Sequence, residues 1–462
     1  MEGFDIMPTY SKDIKKGAKV NIKIDNILFP HLGVTNIDEK EIRVKNVLPG
    51  QLVKVLIKKK KKDYYQARLL EVVEKSPMED KAKCDHYEQC GGCNRQLIDY
   101  QEQLTIKYEQ VKELFQKNDF KEVNFQGIIA SPRIFEYRNK MEFSFGDLNK
   151  DGILQLGMHP RGRRFDVVTV NTCQIVDNDF RLILTTIIDY FRKLNFKRYH
   201  IISREGYLRN LVIRKGLKTD EILVNIITTS QQEHDLNDLS SQLTNLHLEG
   251  NLVGFLQTIN NDYADAVKCE KLITHYGRSY YYEKLLGLTF KITPFAFFQT
   301  NTFAAEELYK TVQNYIDEEK VIFDLYCGTG TISQVVAQKA KMVYGIELIE
   351  EAVEMARENT KINKISNCEF ITGDVLEKVN ILKEKPDLIV IDPPRPGINP
   401  KALQKIIEFN SKKIIYVSCN PKSLVHDLVD LTKANYKIRE VKCIDMFPHT
   451  HHVETVVSLI KN

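Results

Sequence analysis

No stretch of this 462-residue chain approaches 18 apolar residues in a row, so a membrane span is not expected. The opening Met1-Glu2-Gly3-Phe4-Asp5 is not a basic-then-apolar leader, so no secretory signal is expected either. Cysteine is scarce. Nine residues is an odd number and too sparse for a disulfide scaffold, which points to a reducing cytoplasm. Neither G-x-G-x-x-G nor a P-loop lysine is present, which argues against pyrophosphate binding. There is no internal repeat, and no low-complexity segment apart from a run of lysines. What is there is an ordinary soluble composition, 43% hydrophobic and 28% charged, in a chain long enough for two to four domains.

Net charge is only +4, but it is uneven. Residues 1–75 hold 16 Lys and Arg against 10 Asp and Glu, a surplus of six, so the remainder is slightly negative. The surplus includes Lys58-Lys59-Lys60-Lys61-Lys62, which reads either as a solvated hairpin tip or as a contact for phosphates. In the same region Lys19–Ile24, Glu41–Lys45, Leu52–Ile57 and Tyr65–Leu70 alternate apolar and charged residues between turn signals such as Pro49-Gly50. Half-buried antiparallel strands are expected, closing into a small basic barrel of OB or SH3-like type.

A helix is predicted from Tyr100 to Lys117, with Leu104, Val111, Leu114 and Phe115 on its apolar face. From about 125 to 285 the pattern is strand-rich, with Lys140–Phe145, Phe165–Val170, Leu211–Arg214 and Ile222–Ile227 as strands and Phe180–Lys193 as a helix. This is a central α+β region, bridged by Lys291–Thr302 to the last domain. Thereafter helix and strand alternate: Phe303–Asn314, Val321–Leu325, Thr331–Lys339, Val343–Ile346, Glu350–Asn363 and Cys368–Thr372. Strands Asp387–Ile391, Lys413–Ser418 and Val453–Leu459 follow. That order predicts a mostly parallel sheet with helices on both faces.

Three strand ends of that sheet carry polar groups, and strand ends at one sheet edge make a binding crevice. Asp324-Leu-Tyr-Cys-Gly-Thr-Gly330 follows the first strand, and its glycines let a ligand approach the backbone closely. Glu347 ends the next strand, where a carboxylate can accept hydrogen bonds from ribose hydroxyls. With Asp392 of Asp392-Pro-Pro-Arg395 beside them, an adenosyl cofactor without phosphates, S-adenosylmethionine (SAM), is favoured over a purely structural turn. Ser418-Cys419-Asn420-Pro421 ends a third strand. Cys419 is placed as a nucleophile, the competing reading being a buried core thiol. Adding a thiolate to uracil carbon 6 makes carbon 5 nucleophilic enough to take a methyl group, and a base must then remove the carbon 5 proton. Glu454 is the best base. His449 or His452 is the alternative, and the histidines of Pro448–Thr455 could instead bind metal.

Together Ser418-Cys-Asn-Pro421, Asp392-Pro-Pro-Arg395, Asp324–Gly330, Phe297-Phe-Gln-Thr-Asn301 and His452-Val-Glu454 resemble the RNA uracil-5-methyltransferases of the RumA/TrmA class, in the family's order. The resemblance spans nearly the whole chain. It implies a Rossmann-like SAM-dependent methyltransferase domain at 301–462, a central RNA-binding α+β domain at 76–300 and an OB-like TRAM barrel at 1–75. It implies Cys419 as nucleophile, Glu454 as base, and SAM contacts from Gln299, Tyr326, Gly328, Glu347 and Asp392. The barrel's glycine-rich turn is reduced here to His31-Leu32-Gly33.

Cys84-x5-Cys90-Gly91-Gly92-Cys93 places three thiols in ten residues, one short of a tetrahedral set, and Cys173 is the candidate fourth. Spacing alone leans to zinc; the resemblance implies a 4Fe-4S cluster. The pattern is not that of radical SAM enzymes. Cys269, Cys327, Cys368 and Cys443 read as packing residues. The barrel and cysteine cluster resemble the ribosomal branch, so 23S rRNA is the favoured substrate, tRNA the alternative, and a monomer the expected state. An amino-group methyltransferase is disfavoured because Arg395 replaces the aromatic residue that such an enzyme places after its prolines. A non-catalytic RNA-binding iron–sulfur protein is the remaining class, opposed by intact Cys419 and Glu454.

Overall fold

The computed structural model describes residues 14–37, 40–149, 152–263, 269–317, 320–378 and 384–462. The start of the expected barrel segment, up to residue 13, lies outside them. Contacts divide the chain into two units.

The first unit comprises Met1–Ala82, Asn94–Asp119 and His449–His452. Its strands are β1 (Lys19–Lys23), β2 (Asn26–Leu28), β3 (Leu32–Ile37), β4 (Lys40–Lys45), β5 (Leu52–Lys60) and β6 (Tyr64–Glu74). They form a curled sheet in the order β1-β5-β6-β4-β3-β2, antiparallel except for β4 against β6. Alternation explains the core: in β5 Val53, Val55 and Ile57 point inward against Ile22, Ile42, Val44 and Tyr65. The lysine run ends β5 and turns into β6, with the Lys61 N–H donating to the Tyr64 carbonyl at 2.9 Å, and all five lysines are exposed. Strands β2 and β3 escape the sequence pattern because they are short and flank the Phe29-Pro30 turn. Helix α1 (Tyr100–Lys117) matches its expected span and is capped by Asp99, whose carboxylate accepts from the Gln101 N–H.

The second unit comprises Lys83–Cys93, Phe120–Pro448 and Val453–Asn462. After β7 (Phe125–Ile129) come β8 (Lys140–Gly146), β9 (Gln155–Met158), β10 (Val168–Thr169), α2 (Asn178–Lys193), β11 (Leu208–Lys215), β12 (Glu221–Thr228), α3 (Asn237–Thr244), β13 (Asn251–Ile259) and β14 (Lys271–Gly277). Strands β8 to β14 make one sheet in the order β10-β9-β8-β11-β12-β13-β14, with only β12 and β13 parallel among its described pairs. Phe180, Ile183 and Ile187 of α2 pack with Phe143, Leu211 and Val224 of that sheet. The strand predicted over Phe165–Val170 is confined to Val168–Thr169. Phe165 lies in a loop with Arg163 and Arg164 and is exposed.

A hairpin, β15 (Tyr281–Leu285) and β16 (Leu288–Ile292), and α4 (Thr302–Asn314) lead to the last sheet. Its elements are β17 (Val321–Leu325), α5 (Thr331–Ala337), β18 (Met342–Glu347), α6 (Glu350–Ile362), β19 (Cys368–Thr372), α7 (Val375–Lys378), β20 (Leu388–Ile391), α8 (Pro400–Glu408), β21 (Lys413–Ser418), α9 (Pro421–Lys433), β22 (Tyr436–Ile444) and β23 (Glu454–Lys461). The order is β19-β18-β17-β20-β21-β23-β22-β7. Strands β17 to β21 are parallel, and β23 inserts antiparallel between β21 and β22. The strand order reverses between β17 and β20, where such sheets open their ligand crevice. Strand β7, from the region read as central, pairs with β22 and extends this sheet. Of the remaining thiols, Cys327 and Cys443 are buried as expected, but Cys269 is exposed.

The glycine turn after β17 carries a test. Gly328 and Gly330 have φ of +53° and +73°. A Cβ at Gly330 would meet Phe370 ring atoms at 2.6 and 2.7 Å, whereas one at Gly328 meets nothing within 4 Å. Both substitutions carry a left-handed cost of about 1–2 kcal/mol, and Gly330→Ala adds an overpacking cost of about 1–3 kcal/mol. Thermal unfolding should therefore show a larger drop for Gly330→Ala than for Gly328→Ala. Equal drops would contradict this packing.

Candidate active site

Each strand end at the crevice delivers one group. Past β17, Tyr326 adopts φ +66° and its N–H bonds the Ile346 carbonyl at 3.0 Å, which turns the chain into the glycines. Glu347, the last residue of β18, holds that turn: its Oε2 accepts from the Gly328 N–H at 3.0 Å. Its Oε1 accepts from the Leu348 and Ile349 N–H groups at 2.9 and 3.1 Å. A carboxylate offers about four acceptor sites, so these bonds leave Glu347 room for one more donor rather than for both ribose hydroxyls.

Asp324 lies beneath the turn, fully buried. Its Oδ2 accepts from the Ser333 hydroxyl at 2.5 Å, and its Oδ1 has no partner among the described residues. Burial, partly offset by Ser333, pushes its carboxyl up to about 7. Gln299 is buried before α4, and its carbonyl accepts from Asn139 Nδ2 at 2.9 Å. Its side chain hydrogen-bonds the Tyr309 hydroxyl. The neighbouring Asn301 caps α4 and donates to the Met446 carbonyl at 2.9 Å, which fixes this segment against the sheet.

The second half of the crevice joins β20, β21 and β23. Ser418, the end of β21, pairs with Thr455 of β23, so one step further along the antiparallel register Cys419 comes opposite Glu454. Asn420 caps α9 and Pro421 takes its first turn. Asn420 Nδ2 also donates to the Arg395 carbonyl at 2.9 Å, which ties this turn to the one after Asp392. Cys419 is half-buried and Glu454 is buried. Burial, then Glu454 and Asp392, push the Cys419 thiol up to about 11 against the opposing charge of Arg395. Burial and Asp392 push Glu454 up to about 8. Asp392 keeps some residue-level exposure, but its enclosed carboxyl is pushed up to about 7 by burial and by Asp324.

Three features were missed in the sequence. Phe297, 67% exposed, offers an aromatic face, and its backbone carbonyl accepts from the Thr329 hydroxyl of the glycine turn. Leu348 and Ile349 stand exposed just after Glu347, and Asp374 follows β19 within electrostatic reach of Tyr326. An acidic strand end followed by two apolar residues was the available signal. The unfilled side of Gly328, the unpartnered Asp324 oxygen and these exposed apolar faces fit an adenosyl group bearing an amino acid. His449 is engaged elsewhere: its Nδ1 lies 3.1 Å from Gln103 Nε2, and its carbonyl accepts from the Asn94 and Arg95 N–H groups.

The four cluster thiols act on shared neighbours. Cys84 and Cys90 act electrostatically on Cys173, and Cys93 and Cys173 both act on Tyr137. The Gly92 N–H donates to Cys90 Sγ at 3.3 Å. Four soft sulfur donors from two segments fit a thiolate-bound metal centre in kind. Among the described residues, however, no three His, Cys, Asp or Glu side chains stand together as a metal-binding set. Burial pushes Cys173 up to about 11, so this thiol holds a proton that a metal would have to displace.

The raised carboxyls set a pH dependence. Asp324, Asp392 and Glu454 keep their protons when folded at pH values where unfolded carboxyls, near 4, have lost them. The folded state thus binds more protons, and this contribution to stability is full below about pH 4 and lost as pH rises through about 7–8. The thermal midpoint should fall between pH 5 and 9, and Asp392→Asn should flatten the slope. A midpoint rising over that range would contradict the burial of these groups.

The family model for tRNA (uracil-5-)-methyltransferase matches residues 99–462. An uncharacterized RNA methyltransferase of Clostridium tetani is 51% identical over 96% of this chain and 98% of its own length. One from Clostridium acetobutylicum is 46% identical over 97% and 99%. Among solved structures, the Pyrococcus abyssi tRNA (uracil-54, C5)-methyltransferase in complex with S-adenosyl-L-homocysteine superposes with a TM-score of 0.76 at 26% identity. That match covers 96% of this chain and 100% of the other. Among the described residues no helix is long and apolar enough to cross a membrane. The chain belongs to the tRNA (uracil-5-)-methyltransferase family.

Proposed function

We propose that this protein methylates carbon 5 of a uracil in RNA, with 23S rRNA as substrate, through a covalent adduct between Cys419 and uracil carbon 6. The observation that carries the reading is that Cys419, just past the end of β21, lies within electrostatic reach of Glu454, the first residue of the neighbouring β23. SAM, when bound, supplies the electrophilic methyl group and a positive charge. Gln299, Tyr326, Gly328, Glu347 and Asp392 would hold it, an assignment supported by their convergence on one crevice and by the S-adenosyl-L-homocysteine in the Pyrococcus structure.

Cys419 Sγ forms a bond to carbon 6, and the electron pair displaced from the carbon 5–carbon 6 double bond makes carbon 5 the nucleophile. Once carbon 5 carries the methyl group, Glu454 takes its proton. The electron pair restores the double bond and Cys419 leaves as thiolate. Both groups hold protons at neutral pH, so the Cys419 thiol must release its proton to water before attack, and Glu454 its own before it can accept the carbon 5 proton; Arg395 favours both ionisations.

The basic barrel at 1–75, the central domain at 76–300 and the catalytic domain at 301–462 divide this work. The exposed lysine hairpin would meet phosphates, and the central domain would carry a 4Fe-4S cluster on Cys84, Cys90, Cys93 and Cys173. A tRNA substrate is the second reading, favoured by the Pyrococcus tRNA enzyme aligning over its whole length.

Methylation of 23S rRNA and tRNA transcripts, assayed in parallel, tests the substrate; transfer to tRNA alone would overturn the ribosomal assignment. Cys419→Ala should abolish transfer with SAM affinity retained. Glu454→Gln should lower turnover by about 10²- to 10⁴-fold and accumulate a protein–RNA adduct on a denaturing gel. Turnover by Cys419→Ala would refute the covalent route. Anaerobic purification should yield iron and sulfide, lost in Cys90→Ser; stoichiometric zinc without iron would refute the cluster.

A further inference from the structure

An open cleft lies on the β8–β11 face of the central sheet, outside the crevice described above. Its floor is polar: Ser144 of β8 and Asn210 of β11, paired directly across the ladder. One wall is the loop after β9, held by His159, whose Nδ1 donates to the Asp166 carbonyl at 2.8 Å. That bond leaves Nε2 as the accepting nitrogen, facing the Ser144 hydroxyl at 3.5 Å. The other wall is the segment before β11, where Arg198 is held by Asp147 through bonds of 2.9 and 3.1 Å.

The rim is the unusual part. Phe165 is 56% exposed and Ile202 is 72% exposed, two large apolar side chains at a cleft whose lining also mixes Val167 and Tyr199 with its polar groups. Arg164 is exposed next to Phe165, its guanidinium carbon 6.0 Å from the ring centroid. Polar floor, apolar lips and a cation at the mouth match the parts of an unstacked nucleotide: base edge, base face and phosphate.

We propose that this cleft seats a second, unmethylated nucleobase of the substrate RNA, stacked on Phe165, edge toward Asn210, with its phosphate against Arg164. This rests on the reading that the chain acts on RNA. The ring supplies sequence-tolerant stacking, and the arginine supplies a salt-dependent contact.

The test titrates full-length protein with the 23S rRNA and tRNA transcripts at several salt concentrations. Phe165→Leu should weaken binding by about 5- to 150-fold on the better transcript, and Phe165→Tyr, which keeps an aromatic face, should restore it. Arg164→Gln should lower the salt slope by about one. SAM affinity should be unchanged in all three. Wild-type binding in every variant, or equal loss in Phe165→Leu and Phe165→Tyr, would overturn the proposal. If the wild type methylates RNA but the variants bind normally, the cleft alone is refuted. If nothing is methylated while Phe165→Leu still loses binding, the uracil reading fails and the cleft stands.

Discussion

The site depends on one topological constraint, the antiparallel insertion of β23 between β21 and β22. Every other strand from β17 to β21 runs parallel, so its carboxyl end meets only other carboxyl ends. Reversing β23 brings the beginning of a strand to that edge. Glu454, its first residue, therefore faces Cys419 just past the end of β21. A slip of one residue would turn Glu454 to the other face of the sheet. Thr455 and Val456, paired with Ser418 and Val417, hold the register inside a buried ladder.

Burial then sets the chemistry. Asp324, Asp392 and Glu454 share one poorly solvated crevice, and Asp324 and Glu454 each raise or are raised by a neighbouring carboxyl. Like charges so enclosed cannot all ionise. Positive charge is what the crevice needs, and Arg395 lies at the turn that Asn420 holds.

Much of the last sheet was legible because its strands are short apolar runs that stop at polar turns. Val321–Leu325, Cys368–Thr372 and Lys413–Ser418 have the expected bounds. Helices α8 and α9 were overlooked because each opens on a proline, Pro400 and Pro421, which reads as a breaker yet suits a first helical turn. Strand β7 could not be placed, because pairing Phe125 with Val441 is a long-range choice that no local period encodes. The stretch Phe165–Val170 is apolar enough to read as a strand, but Phe165 lies in the loop before β10 with its ring exposed. At the site, the strand ends were readable. The lone-pair use of Glu347 by backbone N–H groups and the aromatic face of Phe297 depend on turns that only the folded chain defines.

The covalent route through Cys419 is the centre of the account, and trapping it is the direct measurement. The protein would be incubated with SAM and a substrate transcript carrying 5-fluorouridine, and the mixture resolved on a denaturing gel. Fluorine on carbon 5 cannot leave as a proton, so the adduct should persist, carry the transferred methyl group, and map by mass spectrometry to the peptide containing Cys419. Absence of any adduct, on a transcript whose unmodified form is methylated at carbon 5, would contradict the mechanism.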